Sequence, residues 1–318
     1  MKKGLLLGAL LLGAASFSML TGFDSAATAE DVLQKYVDSS KNVEKASADA
    51  DFVLDASIAV PAADMTMGLS ASGTEAIAMT MDPLAMKADA SFDVSMMGQN
   101  LNVKVSIYGV TEEDGSFALY VLTDTGEGDA QWQKTATDAA QIQELIEKAS
   151  TMQLDVSSLP LSFELAPAAV DVNGTECYEL YASMGVADLL LVAQPYMDQI
   201  IPEGQGITAE DIQTIGSLLS GIQFNISLDV DAETYKPMKV HLDLDGSDWT
   251  TIAALLASSF GTDDAGNPYE VNLDVNAVAL DIVYDYESPV EISVPEEALG
   301  AAEADPDSLL EMVEDAAA

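Results

Sequence analysis

Leu84-Ala85-Met86-Lys87-Ala88-Asp89-Ala90-Ser91-Phe92-Asp93-Val94-Ser95-Met96 places Leu84, Met86, Ala88, Ala90, Phe92, Val94 and Met96 at one parity and Lys87, Asp89, Ser91, Asp93 and Ser95 at the other. Successive side chains of a strand point to opposite faces, so this period of two predicts a β-strand with one apolar and one wetted face. The pattern extends in both directions. Upstream, Ala48, Ala50, Phe52, Leu54, Ala56, Ile58 and Val60 alternate with Asp49, Asp51, Asp55 and Ser57; Met65, Met67 and Leu69 follow, then Ile77, Met79 and Met81. Downstream, after a turn at Gly98-Gln99-Asn100, Leu101, Val103, Val105 and Ile107 resume it. Residues 48–107 therefore predict a curved antiparallel sheet with a methionine-rich apolar face.

The composition bounds what such a sheet serves. The chain has 318 residues, 49% of them hydrophobic, which is ample material for a core. Its charge is extreme: 54 acidic residues stand against 11 lysines, arginine is absent, and His241 is the single histidine, for a net charge of −43. Such a surface repels nucleic acid and anionic lipid headgroups, and without arginine it has no bidentate clamp for carboxylate or phosphate. The acidity itself is read as a solubility device.

Lys2 and Lys3, the uncharged apolar run of residues 4–23 and the Ala27-Thr28-Ala29 site predict an export signal over residues 1–29, cleaved after Ala29. A run of that length also suffices to cross a bilayer, so an uncleaved N-terminal anchor is the alternative, and membrane contact is expected through this segment only. Leu20-Thr21-Gly22 matches the front of a bacterial lipoprotein signal, yet Phe23 stands where the lipid-accepting cysteine would be. Cys177 is the only cysteine, so no intramolecular disulfide forms. Export without disulfides predicts an extracytoplasmic bacterial protein, secreted or associated with the cell envelope.

Thr28-Ala29-Glu30-Asp31 has the form of a capping box, and Val32, Leu33, Tyr36 and Val37 follow at helical spacing, predicting a helix over residues 29–45. Asp114-Gly115 predicts a turn before a strand at residues 117–122, and a short strand is expected at Trp132. Ile142, Leu145, Ile146 and Ala149 predict a helix over residues 137–151. Strands are expected at Leu161 to Leu165, after the Asn173-Gly174 hairpin turn, at residues 224–230 and 238–244, and at 271–275 and 280–284. Helices are predicted at residues 186–201, interrupted at Pro195, at 208–219 and at 248–259. No linker separates these pieces, so residues 30–298 are read as one domain and residues 299–318 as an acidic tail. The fold class is α+β: a curved antiparallel half-barrel sheet with helices covering its concave face.

On these elements the chain resembles the lipoprotein-carrier fold of the LolA and LppX/LprG-like proteins, in particular a branch of Gram-positive lipoproteins. The residues that carry the likeness are Glu30 to Tyr36, Met81-Asp82-Pro83-Leu84-Ala85-Met86, Asn173-Gly174-Thr175-Glu176-Cys177-Tyr178-Glu179-Leu180, residues 231–239 and Val294-Pro295-Glu296. The resemblance implies a half-open barrel whose concave face, lidded by helices, holds acyl chains. Phe23 in place of the lipidated cysteine and the strong acidity depart from that pattern.

The candidate site is accordingly Met65, Met67, Leu69, Met79, Met81, Met86, Phe92, Met96, Leu101 and Val103, as the lining of an apolar concavity. Methionine is flexible and polarisable, and it suits both adaptable apolar sites and irregular cores. An enclosed acyl chain of about 14 carbons gains on the order of 10 kcal/mol from burial at about 0.8 per methylene, so no catalytic group is needed. Carboxylate clusters at Asp229/Asp231/Glu233, Asp243/Asp245/Asp248 and Asp263/Asp264/Asn267/Glu270 are of the kind that binds calcium, which takes several oxygen ligands in loops, but none has EF-hand spacing, and clusters of this kind arise by chance in so acidic a chain. One histidine, one cysteine and no G-x-S-x-G motif argue against zinc and against nucleophilic catalysis. The expectation is a monomeric, non-enzymatic binder of lipid or another apolar small molecule, without cofactor or metal. The alternative is a structural or protein-interaction domain of the same fold, with a filled core and an acidic surface.

Overall fold

A computed structural model describes residues 28–40, 43–96, 98–126, 130–138, 162–188, 209–260, 262, 266 and 269–303. The fold is α+β and is built on one open sheet. Its strands are β1 (Lys45–Val60), β2 (Met65–Met81), β3 (Leu84–Met96), β4 (Gln99–Thr111), β5 (Ser116–Asp124), β6 (Gln133–Asp138), β7 (Glu164–Leu165), β8 (Val170–Val172), β9 (Thr175–Gly185), β10 (Gln223–Asp231), β11 (Pro237–Asp243), β12 (Asn272–Asp285) and β13 (Ala302–Glu303). The order across the sheet is β13-β6-β5-β4-β3-β2-β1-β12-β11-β10-β9-β7, with β8 also on β9. Its two ends do not pair with each other, so it forms a half-barrel. The α-helices described over their length are α1 (Ala29–Ser40), α2 (Ala209–Leu218) and α3 (Thr250–Ser259); residues 186–188 are helical as well, and single 3-10 turns stand at Pro61–Ala63 and Glu296–Ala298.

The period-two stretch becomes four long strands. β2 alone has 17 residues, a span of about 55 Å at strand rise. Register pairs like with like: Ala48 sits opposite Ile77, Ile58 opposite Met67, Met79 opposite Met86, and Phe92 opposite Val103. The outer face is held by polar cross-strand pairs, Ser106 Oγ donating to Asp89 at 2.7 Å and Asn102 Nδ2 to Asp93 at 2.8 Å. The Asn173-Gly174 hairpin forms as its sequence predicts, with both residues at positive φ, 54° and 88°.

β1 and β12 close the middle of the sheet. The alternation at Leu273 and Val275 changes phase before Leu280, which reads as two strands; the chain instead makes one continuous strand, with a bulge opposite Asp55 and Ala56 absorbing the extra residue. Helix limits also differ from the sequence expectation. α1 ends at Ser40, short of residue 45, and Thr137 and Asp138 close β6 instead of opening a helix. The rest of that predicted helix, residues 139–151, lies outside the described residues, as do residues 189–201 of the helix predicted around Pro195 and residues 1–27 of the predicted export signal. Residues 299–303, read as the start of the acidic tail, continue the fold: Ala302–Glu303 pair in parallel with β6, while residues 304–318 lie outside the described residues.

Two cores form on opposite faces. On the apolar face, Val32, Leu33, Tyr36 and Val37 of α1 pack against Leu180, Leu228 and Val230 of β9 and β10. On the other face, Tyr108, Ala118 and Tyr120 are covered by the segment after β12, through Ile292, Val294 and the fully buried Ala298. That segment runs behind the sheet from β12 to β13.

The capping box is present. Thr28 N donates to Asp31 Oδ2 and Asp31 N donates to Thr28 Oγ1, each at 3.2 Å, with Asp31 buried. Thr28→Ala is therefore expected to lower unfolding free energy by about 1 kcal/mol in chemical denaturation. Cleavage after Ala29 removes the same cap, so a chain beginning at Glu30 is expected to show a similar loss.

Candidate functional site

Cross-strand partners share a face, so register places each predicted site residue. Met65, Met67, Leu69, Met79 and Met81 on β2, Met86, Phe92 and Met96 on β3, and Leu101 and Val103 on β4 all lie on one face of the sheet. Through β1 and β12 this face is continuous with the one that α1 packs on, since Ala50 pairs with Ile282, Ile282 with Val240, Val240 with Leu228, and Leu228 with Leu180.

One face thus has two regimes. Under α1, Leu180 and Val230 are fully buried. Toward the far ends of β2–β4, Leu69 is 37%, Met96 56% and Leu101 41% exposed, and Leu69 pairs directly with Met96. Met65, Met67, Met79, Met86, Phe92 and Val103 are half-buried. Two surface concavities lie elsewhere: one of about 480 Å³ at residues 110–114 and one of about 110 Å³ between residues 244–249 and 275–278.

Two glycines shape the surface between the methionines. The Phe92 ring lies over Gly73, where an added Cβ would come 2.5 Å from Phe92 Cδ1. Phe117 and Met86 lie over Gly109 in the same way. Large side chains here rest on bare backbone, which keeps the face shallow.

Sequence parity also hid a residue. Glu75 sits among the apolar odd positions of β2, opposite Ala50 and Ala90. Burial pushes its carboxyl above the ordinary value, and among the described residues no hydrogen bond or ion pair reaches it. The signal was present in the sequence: a glutamate at the parity of Met65, Met67 and Met79. Along the same row of cross-strand partners lie Ala90, Val105 and then Thr123, whose Oγ1 is buried without a partner.

The remaining polar candidates serve structure. His241 lies on the wetted face, Nδ1 3.1 Å from Asp281 and Nε2 3.2 Å from Asp243, with Lys239 2.7 Å from Asp281. Hydrogen bonds from Lys239 and His241 outweigh desolvation and hold the Asp281 carboxyl below its usual range. Asp231 accepts from Glu233 N at 2.8 Å, Asp243 from Asp245 N at 2.7 Å, and Asp248 from Thr250 N at 2.9 Å, so these carboxylates cap turns. Asp263, Asp264 and Asn267 lie outside the described residues, and among the described residues no three His, Cys, Asp or Glu gather as metal ligands. Cys177 is fully buried; burial first, then Asp229, Asp231 and Asp171, push its thiol up to about 11, which keeps it neutral. No helix among the described residues is long and apolar enough to cross a membrane.

No curated protein matches the chain. Among solved structures it is similar to the crystal structure of LprF from Mycobacterium bovis, at 12% identity over 84% of this chain and 96% of that one, with a TM-score of 0.35. It is also similar to a beta-barrel-like protein of domain of unknown function DUF1849 from Brucella abortus, at 9% identity over 74% and 95% of the two chains and a TM-score of 0.20. A DUF1329 family protein from Desulfovibrio piger follows, at 9% identity over 79% and 88%, with a TM-score of 0.18. Residues 28–247 match the model of a family of unknown function, DUF6612, and the chain belongs to that family.

Proposed function

We propose that the chain is an exported, non-enzymatic protein of the bacterial cell envelope that binds lipid or another apolar molecule on the methionine-lined face of β2–β4. The observation that carries this reading is the partition of one apolar face, which is sealed under α1 and left open at Leu69, Met96 and Leu101. Clustered apolar exposure of this kind marks binding surfaces, whereas scattered single residues do not. Methionine suits the role because its unbranched chain adapts to varied apolar partners. The export signal supplies the location and the acidic outer surface supplies solubility.

The magnitude sets the test. An open face covers one side of an acyl chain, so roughly half of the 10 kcal/mol for full burial is available, about 5 kcal/mol, which corresponds to a Kd on the order of 0.1 mM. Titration with the neutral fluorophore 1-N-phenylnaphthylamine is expected to give saturable enhancement, and Met96→Asp is expected to weaken it by about tenfold. Organic extraction of freshly purified protein, read by mass spectrometry, is expected to release apolar molecules. Absence of both uptake and extractable lipid overturns the reading in favour of a structural or interaction domain.

A further inference from the structure

The apolar face of β1–β5 has one ionisable side chain. Register assigns to it the even positions of β1, the odd positions of β2, the even positions of β3 and the odd positions of β4 and β5. Read through the sequence, that set is apolar apart from Glu75 and the uncharged Gln99, Thr111 and Thr123. Glu75 occupies the middle of it. Its row runs Ala50, Glu75, Ala90, Val105, Thr123, so small side chains flank the carboxyl on both neighbouring strands and nothing bulky on that row shields it.

A carboxylate in such a place costs free energy unless something repays its lost hydration. Among the described residues nothing does: none bonds to Glu75, and no lysine lies on this face of β1–β5. Burial accordingly pushes its carboxyl upward, the direction that an adjoining cation would reverse. Thr123 Oγ1 is a second unpaired polar atom on the same row, three strands away, about 14 Å at ordinary strand spacing. Both are what an apolar surface keeps when a bound molecule brings polar groups of its own. The chemistry of that group follows from sign. A fatty-acid or phosphate head would meet a carboxylate, in a protein of net charge −43, with no lysine on this face of β1–β5 to receive it. A protonated amine meets an acceptor.

We propose that the apolar face binds a cationic amphiphile, its ammonium group paired with Glu75 and its hydrocarbon chain lying along the methionines of β2 and β3. The proposal rests on the apolar-ligand reading above and names the ligand class of the same site. Glu75 contributes selectivity and the methionines contribute most of the affinity.

The test is displacement of 1-N-phenylnaphthylamine from the purified chain by dodecylamine, dodecanol and dodecanoate, at near-neutral pH and about 0.15 M salt to screen exposed charge. Wild type is expected to prefer dodecylamine over dodecanol by about tenfold, and dodecanoate is expected to rank last. Glu75→Gln, and independently Glu75→Ala, is expected to remove the amine preference while leaving dodecanol unchanged. Asp93→Asn, which removes the same charge from the opposite face of the neighbouring strand, is expected to keep it. An amine preference that survives in both Glu75 variants, or that is absent from wild type while dodecanol binds, overturns the Glu75 assignment and leaves the apolar site standing. Failure of the fluorophore and of all three competitors to bind overturns the apolar-ligand reading itself.

Discussion

Leu180→Ala is expected to lower unfolding free energy by about 3 kcal/mol, and Met96→Ala on the same face by less than about 1 kcal/mol. Leu180 is completely buried between α1 and β10, touching a cluster of Val32, Leu33, Tyr36, Val37, Leu228 and Val230. Shortening it leaves a void that rigid neighbours fill poorly, and the cost of such voids grows with their volume. Met96 is 56% exposed and pairs with Leu69, itself 37% exposed, so its removal opens no cavity. Urea denaturation of both variants checks the pair, read as a midpoint shift at unchanged slope. Equal losses would place the β2–β4 end in the core and remove the open face on which the binding proposal stands. A large loss at Leu180 with a small one at Met96 shows that the two regions do different work.

That contrast also shows what a sequence reveals. Alternation in β1–β4 reports which side chains share a face, because parity is local, and all ten candidate residues fall on one face, although they are spread along the strands with Met65 and Met81 at opposite ends of β2. The Thr28/Asp31 cap and the Asn173-Gly174 hairpin were legible for the same reason, each being settled within four residues. Coverage is not local. Whether a helix lies over Leu180 or over Met96 depends on β1 pairing with β12, more than 200 residues away, and no periodicity records that. The β12 bulge misled because a phase change in alternation looks the same whether the strand ends or kinks. Glu75 leaves apolar periodicity almost unchanged, because one glutamate among nine positions of the same parity in β2 barely lowers the alternation, yet its charge at that parity is what distinguishes this face chemically.

Gly109→Ala is expected to lower unfolding free energy by about 2 kcal/mol, against an ordinary gain of roughly 0.5–1 kcal/mol when alanine replaces glycine inside a strand. The reason is the layer above the backbone. An added Cβ at Gly109 would stand 2.7 Å from Met86 Cγ and 2.8 Å from Phe117 Cε1. Met86 is half-buried and flexible and can rotate away, but Phe117 is only 4% exposed and has nowhere to go. Gly73 provides the internal comparison, since a Cβ there meets the half-buried Phe92 ring at 2.5 Å and the fixed Ser91 carbonyl oxygen at 2.9 Å. At that position the ring can swing outward but the carbonyl oxygen cannot, so Gly73→Ala is expected to cost at least as much stability as Gly109→Ala and, by displacing the Phe92 ring, to alter fluorophore binding more. The double variant Gly109→Ala/Phe117→Leu separates a clash from a backbone requirement. If the ring is the obstacle, the two losses are strongly non-additive and the second change recovers part of the first. Simple addition would mean that Gly109 is needed for its own backbone, and that the aromatic layer over the sheet does not set the shape of the apolar face.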